Sequence, residues 1–175
     1  MITGHTNFTN CWALRHEALN IGGKRNKMIG RGTFARIYES ARPDRVLKVT
    51  IDKFAHMLHT DAVAKPTGKH FPKVYKDYGV IGRDGGGREI YMVEIEKLYP
   101  TRSWSEYDKL PSKVHAKVEE FIGLMGGSRV CINDLHFKNV MKRSDGTLVA
   151  SDPVADNVIL DGPKAFNTYR NPWWL

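Results

Sequence analysis

Residues 130–141 read Val130-Cys131-Ile132-Asn133-Asp134-Leu135-His136-Phe137-Lys138-Asn139-Val140-Met141. An apolar run, Val130-Cys131-Ile132, gives way to a polar loop and returns to a strand start at Val140-Met141. Within the loop stand an aspartate at 134 and an asparagine at 139. A carboxylate held there can accept or orient a hydroxyl proton. An amide oxygen beside it suits Mg2+, which takes oxygen ligands. Further on, Leu148-Val149-Ala150-Ser151-Asp152-Pro153 places another carboxylate at the end of a short strand, where it can meet a metal. Aspartate is also a common turn former, so Asp152 gains meaning only from its company.

Two upstream segments supply that company. In Ile29-Gly30-Arg31-Gly32-Thr33-Phe34-Ala35, Gly30 and Gly32 lie between two predicted strands. Without Cβ atoms, such a hairpin lets backbone N–H groups approach phosphate oxygens; a plain tight turn explains the same glycines about as well. In Arg45-Val46-Leu47-Lys48-Val49, a lysine interrupts an apolar strand. Lysine is seldom buried without a partner. Lys48 therefore either reaches into a cleft to hold a phosphate or faces solvent from an edge strand.

Periodicity gives an α+β plan with most strands first. Short apolar runs at 26–31, 35–40 and 45–50 predict strands, broken by Gly32 and by Arg42-Pro43-Asp44. A 3.6-residue period predicts a helix over 52–64, stopped by Pro66 and Gly68. Strands follow near 73–79 and 88–96, with Asp84-Gly85-Gly86-Gly87 as the hairpin turn. The strongest helical pattern is 112–125, with Val114, Val118, Phe121, Ile122 and Met125 on one face and Gly126-Gly127 at its end. A last strand pair falls near 139–143 and 147–151. Residues 8–19 are expected to form a short helix, 20–27 a loop, and the last 20 residues a loop-like tail ending in Trp173-Trp174-Leu175.

Composition narrows the class. Apolar residues make up 41% of the 175 residues, enough for a packed core. The net charge of +8 suits an acidic partner or simply solubility. Its lysines and arginines are spread along the chain, which argues against a nucleic-acid-binding module. The cysteines, Cys11 and Cys131, form no CxxC pair, and a reduced cytoplasmic setting is the simplest expectation. No apolar run reaches the roughly 18 residues that suggest a membrane span, and no signal peptide is evident. The sequon Asn7-Phe8-Thr9 has no meaning without export. His56 and His59 lack an HExxH frame and are read as core or solvent-facing residues, not zinc ligands.

In order and spacing, Gly30-x-Gly32, Lys48, Asp134-x-x-x-x-Asn139 and Asp152 resemble the protein-kinase signature set. The pieces GRGTFARIY, RVLKV, DLHFKNVM and ASDP are closest to the early serine/threonine protein kinases of T-seven-like bacteriophages, over about residues 28–155. The resemblance implies a minimal two-lobed kinase-like fold, with an N-terminal antiparallel sheet plus helix and a truncated C-terminal lobe. In that frame residues 1–25 extend the N-terminus, 26–98 form the first lobe, 99–155 the reduced second lobe, and 156–175 a tail. ATP and Mg2+ are the implied cofactors. Gly30 and Gly32 would cover the phosphates and Lys48 would hold them. Asp134 would orient the acceptor hydroxyl, and Asn139 and Asp152 would bind the metal. The stretch Val93-Glu94-Ile95-Glu96-Lys97-Leu98 looks like the hinge. There the backbone of Glu96 and Leu98 would bond adenine and Ile95 would guard the back pocket. Such a protein phosphorylates host proteins in an infected bacterium's cytoplasm.

The chain also departs from that pattern. Ala35 replaces the third loop glycine, and Ile132-Asn133-Asp134 replaces His-Arg-Asp. No glutamate between Val49 and Phe71 can pair with Lys48, so Asp52 or Asp61 is the expected substitute. His136 stands where many protein kinases have lysine, as in phosphotransferases of aminoglycosides and choline; Lys138 is the stand-in for the phosphate-binding lysine. Only 23 residues follow Asp152, which leaves room for neither an activation segment nor a helical platform. Two other readings therefore stay open: a catalytically weak kinase-like protein that binds and inhibits a host factor, and a small-molecule phosphotransferase.

Overall fold

A strand pairing on both edges and buried on both faces anchors the chain. It is Arg45–Thr50, and in the computed structural model, which describes residues 19–21, 24–84, 87–101 and 104–161, it lies at the centre of a five-stranded antiparallel sheet. With short strands β1 (Leu19–Ile21) and β2 (Lys24–Asn26) paired ahead of it, the sheet comprises β3 (Met28–Arg31), β4 (Ala35–Glu39), β5 (Arg45–Thr50), β6 (Val74–Arg83) and β7 (Glu89–Glu96). Their order is β3-β4-β5-β7-β6. Successive residues of a strand point to opposite faces. Leu47, Val49 and Ile51 join Tyr38, Ile90 and Met92 on one face. Val46 joins Val93 and Ile95 on the other. Lys48 belongs to that second face, in register with Ile37 on one side and Val93 on the other.

Helix α1 (Lys53–Thr60) covers this second face. Asp52 caps it, its side chain accepting from the Ala55 N–H at 2.9 Å. Residues three or four apart share a helix side. Phe54 and Leu58 thus point away from the sheet into a second core. His56 stacks on Tyr91, ring centroids 4.8 Å apart.

The second core forms around α3 (Ser112–Leu124), whose Val114, Val118, Phe121 and Ile122 are buried. Two small sheets enclose it. One runs β11 (Leu148–Ala150), β10 (Val140–Lys142), β8 (Tyr99–Pro100); the other pairs β12 (Val154–Asp156) with β9 (Cys131–Asn133). Short helices α2 (Trp104–Tyr107) and α4 (Asn157–Asp161) complete the described residues. Gly126 and Gly127 end α3 at φ 100° and 79°, a conformation costly for any residue with a Cβ. Arg143 ties the two parts together. It donates to both carboxylate oxygens of Glu96 and to the carbonyls of Lys69 and Phe71.

The molecule is thus mixed α and β, with a mostly antiparallel sheet. The expected strands are present, and Val74–Arg83 runs longer than expected. Four readings change. The helix expected over 52–64 ends at Thr60, because the Asp61 side chain accepts from the Val63 and Ala64 N–H groups and turns the chain before Pro66. The expected loop 20–27 contains the antiparallel β1–β2 pair. The expected tail opens with α4. Lys48 lies on a central strand, not an edge. Most of the helix expected over 8–19, the sequon and the Trp173-Trp174 end fall outside the described residues. Among those described, no helix is long and apolar enough to cross a membrane.

Phe121 is fully buried among second-core residues. Phe121→Ala should cost about 3–5 kcal/mol, measurable as a lowered urea midpoint with an unchanged slope.

Candidate functional site

A cavity of about 480 Å3 opens between the β3–β4 turn, the N-terminal turn of α1, and the loop from Asp134 to Asn139. Gly32, Asp134, Lys138, Asn139 and Asp152 all line it, as do Thr33, Asp52 and His136. Five of the expected site residues therefore line one cavity. Gly30, Lys48, Glu96 and Leu98 do not line it.

The loop is shaped by its own polar groups. The Asp134 N–H donates to the Pro153 carbonyl at 2.9 Å, and β12 pairs with β9 immediately beside it. This pins Asp134 next to the segment carrying Asp152. The Asn133 side chain accepts from the Leu135 N–H at 2.8 Å, and His136 caps the 3-10 turn Phe137–Asn139. That turn aims the Asn139 side chain back at Asp134. Asn139 Nδ2 donates to Asp134 Oδ2 at 2.9 Å and to the Asp134 carbonyl at 2.8 Å. These acceptors fix the amide's orientation and leave Oδ1 as its remaining donor atom for a cation. Burial raises the Asp134 carboxyl above its ordinary range; His136 and Asn139 work against the rise and Asp152 adds to it.

Lys48 reaches this wall through Asp152. Its Nζ donates to Asp152 Oδ1 at 2.7 Å, joining positions 104 residues apart. Lys48 is only 3% exposed, so an ammonium there needs partners. The second is His59 Nε2, 3.4 Å away. Neither Asp52 nor Asp61, the expected substitutes, pairs with it. Asp52 is occupied in capping α1 and in accepting from the Asp156 N–H at 2.9 Å, while Asp61 turns the chain after α1. Burial pushes the Asp52 carboxyl up to about 6, against its two backbone donors.

His59 was legible only as a core or surface histidine. The usable signal was its place on α1 at a helical spacing from Ala55, which lines the cavity floor. Burial drives its imidazole well below the ordinary value, and Lys48 and then His56 push the same way. The sulfhydryl of Cys131 is fully buried, and burial, Asp52 and Asp156 raise it to about 12, which agrees with an inert core residue.

The glycine turn has the form of the plain tight turn, one of its two readings. Gly32 N–H donates to the Ala35 carbonyl at 2.9 Å and so closes the turn. A Cβ at Gly32 would meet nothing within 4 Å; the cavity side is open there. Glu96 spends its N–H on the Lys73 carbonyl and its carboxylate on Arg143.

The donor set suits Mg2+ in one specific sense. Asn139 Oδ1 and the Asp152 carboxylate are hard oxygen donors on residues that line the same cavity. Mg2+ commonly takes one or two protein oxygens and completes its shell with water and phosphate. An all-protein cage is not needed, and among the described residues no cluster of three or more His, Cys, Asp and Glu side chains forms one. Compared with known proteins, the chain matches no family model and no curated sequence.

Because His59 is held neutral in the fold, the unfolded chain binds its proton more readily. Stability should fall as pH drops below about 6.5, with a slope approaching 1.4 kcal/mol per unit from this group. Asp52, raised to about 6, acts oppositely below that pH. A urea series from pH 7.5 to 5.5 on wild type and His59→Gln cancels Asp52, and the variant should show the shallower loss.

Proposed function

We propose that this chain is an ATP- and Mg2+-dependent phosphotransferase of minimal two-lobed, kinase-like architecture. Its acceptors are serine and threonine hydroxyls of proteins, host bacterial proteins if the resemblance to early phage kinases holds. The observation that carries the reading is the convergence of Asp134, Asn139 and Asp152 on one cavity beside the Gly32 turn, backed by a buried lysine.

Each residue then has a distinct task. Asp134 accepts the proton of the acceptor hydroxyl, whose oxygen forms a bond to the γ-phosphorus as the bond to the β–γ bridging oxygen breaks. Its raised pKa makes it a stronger base than an ordinary carboxylate. Asn139 Oδ1 and Asp152 are the residues to hold Mg2+, which when bound supplies neutralising charge to the phosphates. Lys138, which lines the same cavity, offers a second cation to the transferring group. Lys48, beside Asp152, would hold the α- and β-phosphates. Gly30 and Gly32 keep the turn above the phosphates narrow. The backbone of Glu96 and Leu98 remains the proposed adenine contact, through the Glu96 carbonyl and the Leu98 N–H.

A second reading has its own observation. His136 Nε2 lies 3.6 Å from Asp134 Oδ1, which places beside the base the histidine on which the resemblance to aminoglycoside and choline phosphotransferases rests. The acceptor class is therefore part of the test.

Purified protein with γ-labelled ATP and Mg2+, with and without bacterial lysate, should transfer label to itself or to lysate proteins. Asp134→Asn and Asp152→Asn should each lower the rate at least a hundredfold. Label only on added aminoglycoside or choline would move the acceptor class. Mg2+-dependent ATP binding without any transfer would favour the inhibitory binding protein, and no ATP binding at all would end the nucleotide reading.

A further inference from the structure

We infer that His59 is a positioning residue for Lys48: its Nε2 accepts a hydrogen bond from the Lys48 ammonium and holds that charge in place when Asp152 leaves it. The inference rests on the proposed phosphotransferase for its consequence, but on geometry for its content.

Lys48 has two polar partners, and they differ in kind. Asp152 lines the cavity and its side chain is 34% exposed; His59 is 3% exposed, on α1. Asp152 is the partner a cation would compete for. His59 faces no such competition, since it does not line the cavity. Its 3.4 Å contact with Lys48 can have only one polarity. An ammonium has three donors and no acceptor, so the imidazole must present a bare nitrogen. The Nδ1–H tautomer does so. Burial and two neighbouring nitrogen bases or cations favour the uncharged ring, in agreement.

The choice of histidine has an electrostatic consequence. A carboxylate at this position would neutralise Lys48 inside the protein. A neutral imidazole orients the ammonium and leaves its full charge directed at Asp152 or at whatever replaces it. Position is supplied through α1: Asp52 ties its start to the Asp156 N–H, while Phe54 and Leu58 seat it in the second core. His59 thus stands on an element fixed from both sides. Neither acid flanking α1 could take its place without moving, since Asp52 and Asp61 are committed to backbone N–H groups.

The test uses the full chain with 15N-labelled histidine, in wild type and Lys48→Met. His59 should be neutral, protonated on Nδ1, and its Nε2 resonance should move in Lys48→Met. A ring protonated on Nε2, or an Nε2 resonance indifferent to Lys48, would overturn the inference whether or not the protein transfers phosphate. With labelled ATP, His59→Leu should lower kcat about tenfold, the scale of one lost bond to a charged group. His59→Gln, whose side-chain oxygen can still accept, should recover to within about threefold. Equal losses in both variants at matched Tm would overturn it. A wild type with no transfer would refute the phosphotransferase reading instead and leave the resonance measurement to decide His59.

Discussion

An ammonium group held almost out of water is the constraint around which this protein is arranged. Lys48 sits at 3% exposure in the middle strand of the sheet, and desolvating a charge is affordable only with close polar partners. Asp152 comes from the far end of the chain and His59 from the helix across the sheet face. Meeting the demands of one side chain thus brings β5, α1 and the segment after β11 to a common point. The cavity lies beside that point. Its carboxylates and amide are brought together because the segment carrying Asp152 is tied to the strand carrying Lys48.

Polar groups of the Asp134–Asn139 loop extend this order outward. Asn139 is bonded through its amide nitrogen, and Asp134 is bonded on both its N–H and its carboxylate. Such a loop has little freedom to rearrange on its own. The open side of the Gly32 turn, in contrast, has nothing packed against it. Rigid acid and amide groups facing an uncrowded turn are what a site needs if a polyanion is to enter from one side and meet fixed chemistry on the other.

Much of this was legible from residues. Helix Ser112–Leu124 declared itself through Val114, Val118, Phe121 and Ile122 and a double-glycine stop. The β3, β4, β5 and β7 strands followed from short apolar runs between breakers. Asp134, Asn139 and Asp152 were legible as a set because of their spacing. What was not legible depended on contacts distant in sequence or on local turn chemistry. Asp61 cut α1 short by bonding two N–H groups ahead of it, which a hydrophobic period does not register. The partner of Lys48 was sought among acids. The chain instead pairs it with Asp152, 104 residues on, and with a buried imidazole, whose role is set by a residue eleven positions away and by burial that no single residue encodes. Glu96 was read for its backbone, whereas its side chain carries the bond to Arg143.

That bond has a mechanical consequence. Arg143 grips Glu96 at the end of β7, opposite the start of β5 at Arg45. Thr50 and Ala35, at the other end of the same strands, line the cavity. The sheet is therefore clamped at its Glu96 end, the end of the proposed adenine contact, and Arg143 is the natural fulcrum for any tilt of the end that faces the cavity. At about 3.3 Å per residue, the five steps along β5 give an arm of about 17 Å. A tilt of about 10° about that fulcrum would swing the Gly32 turn by about 3 Å, on the scale of one hydrogen-bond length. Small rotations would change the cavity side of the sheet most and its Arg143 end least.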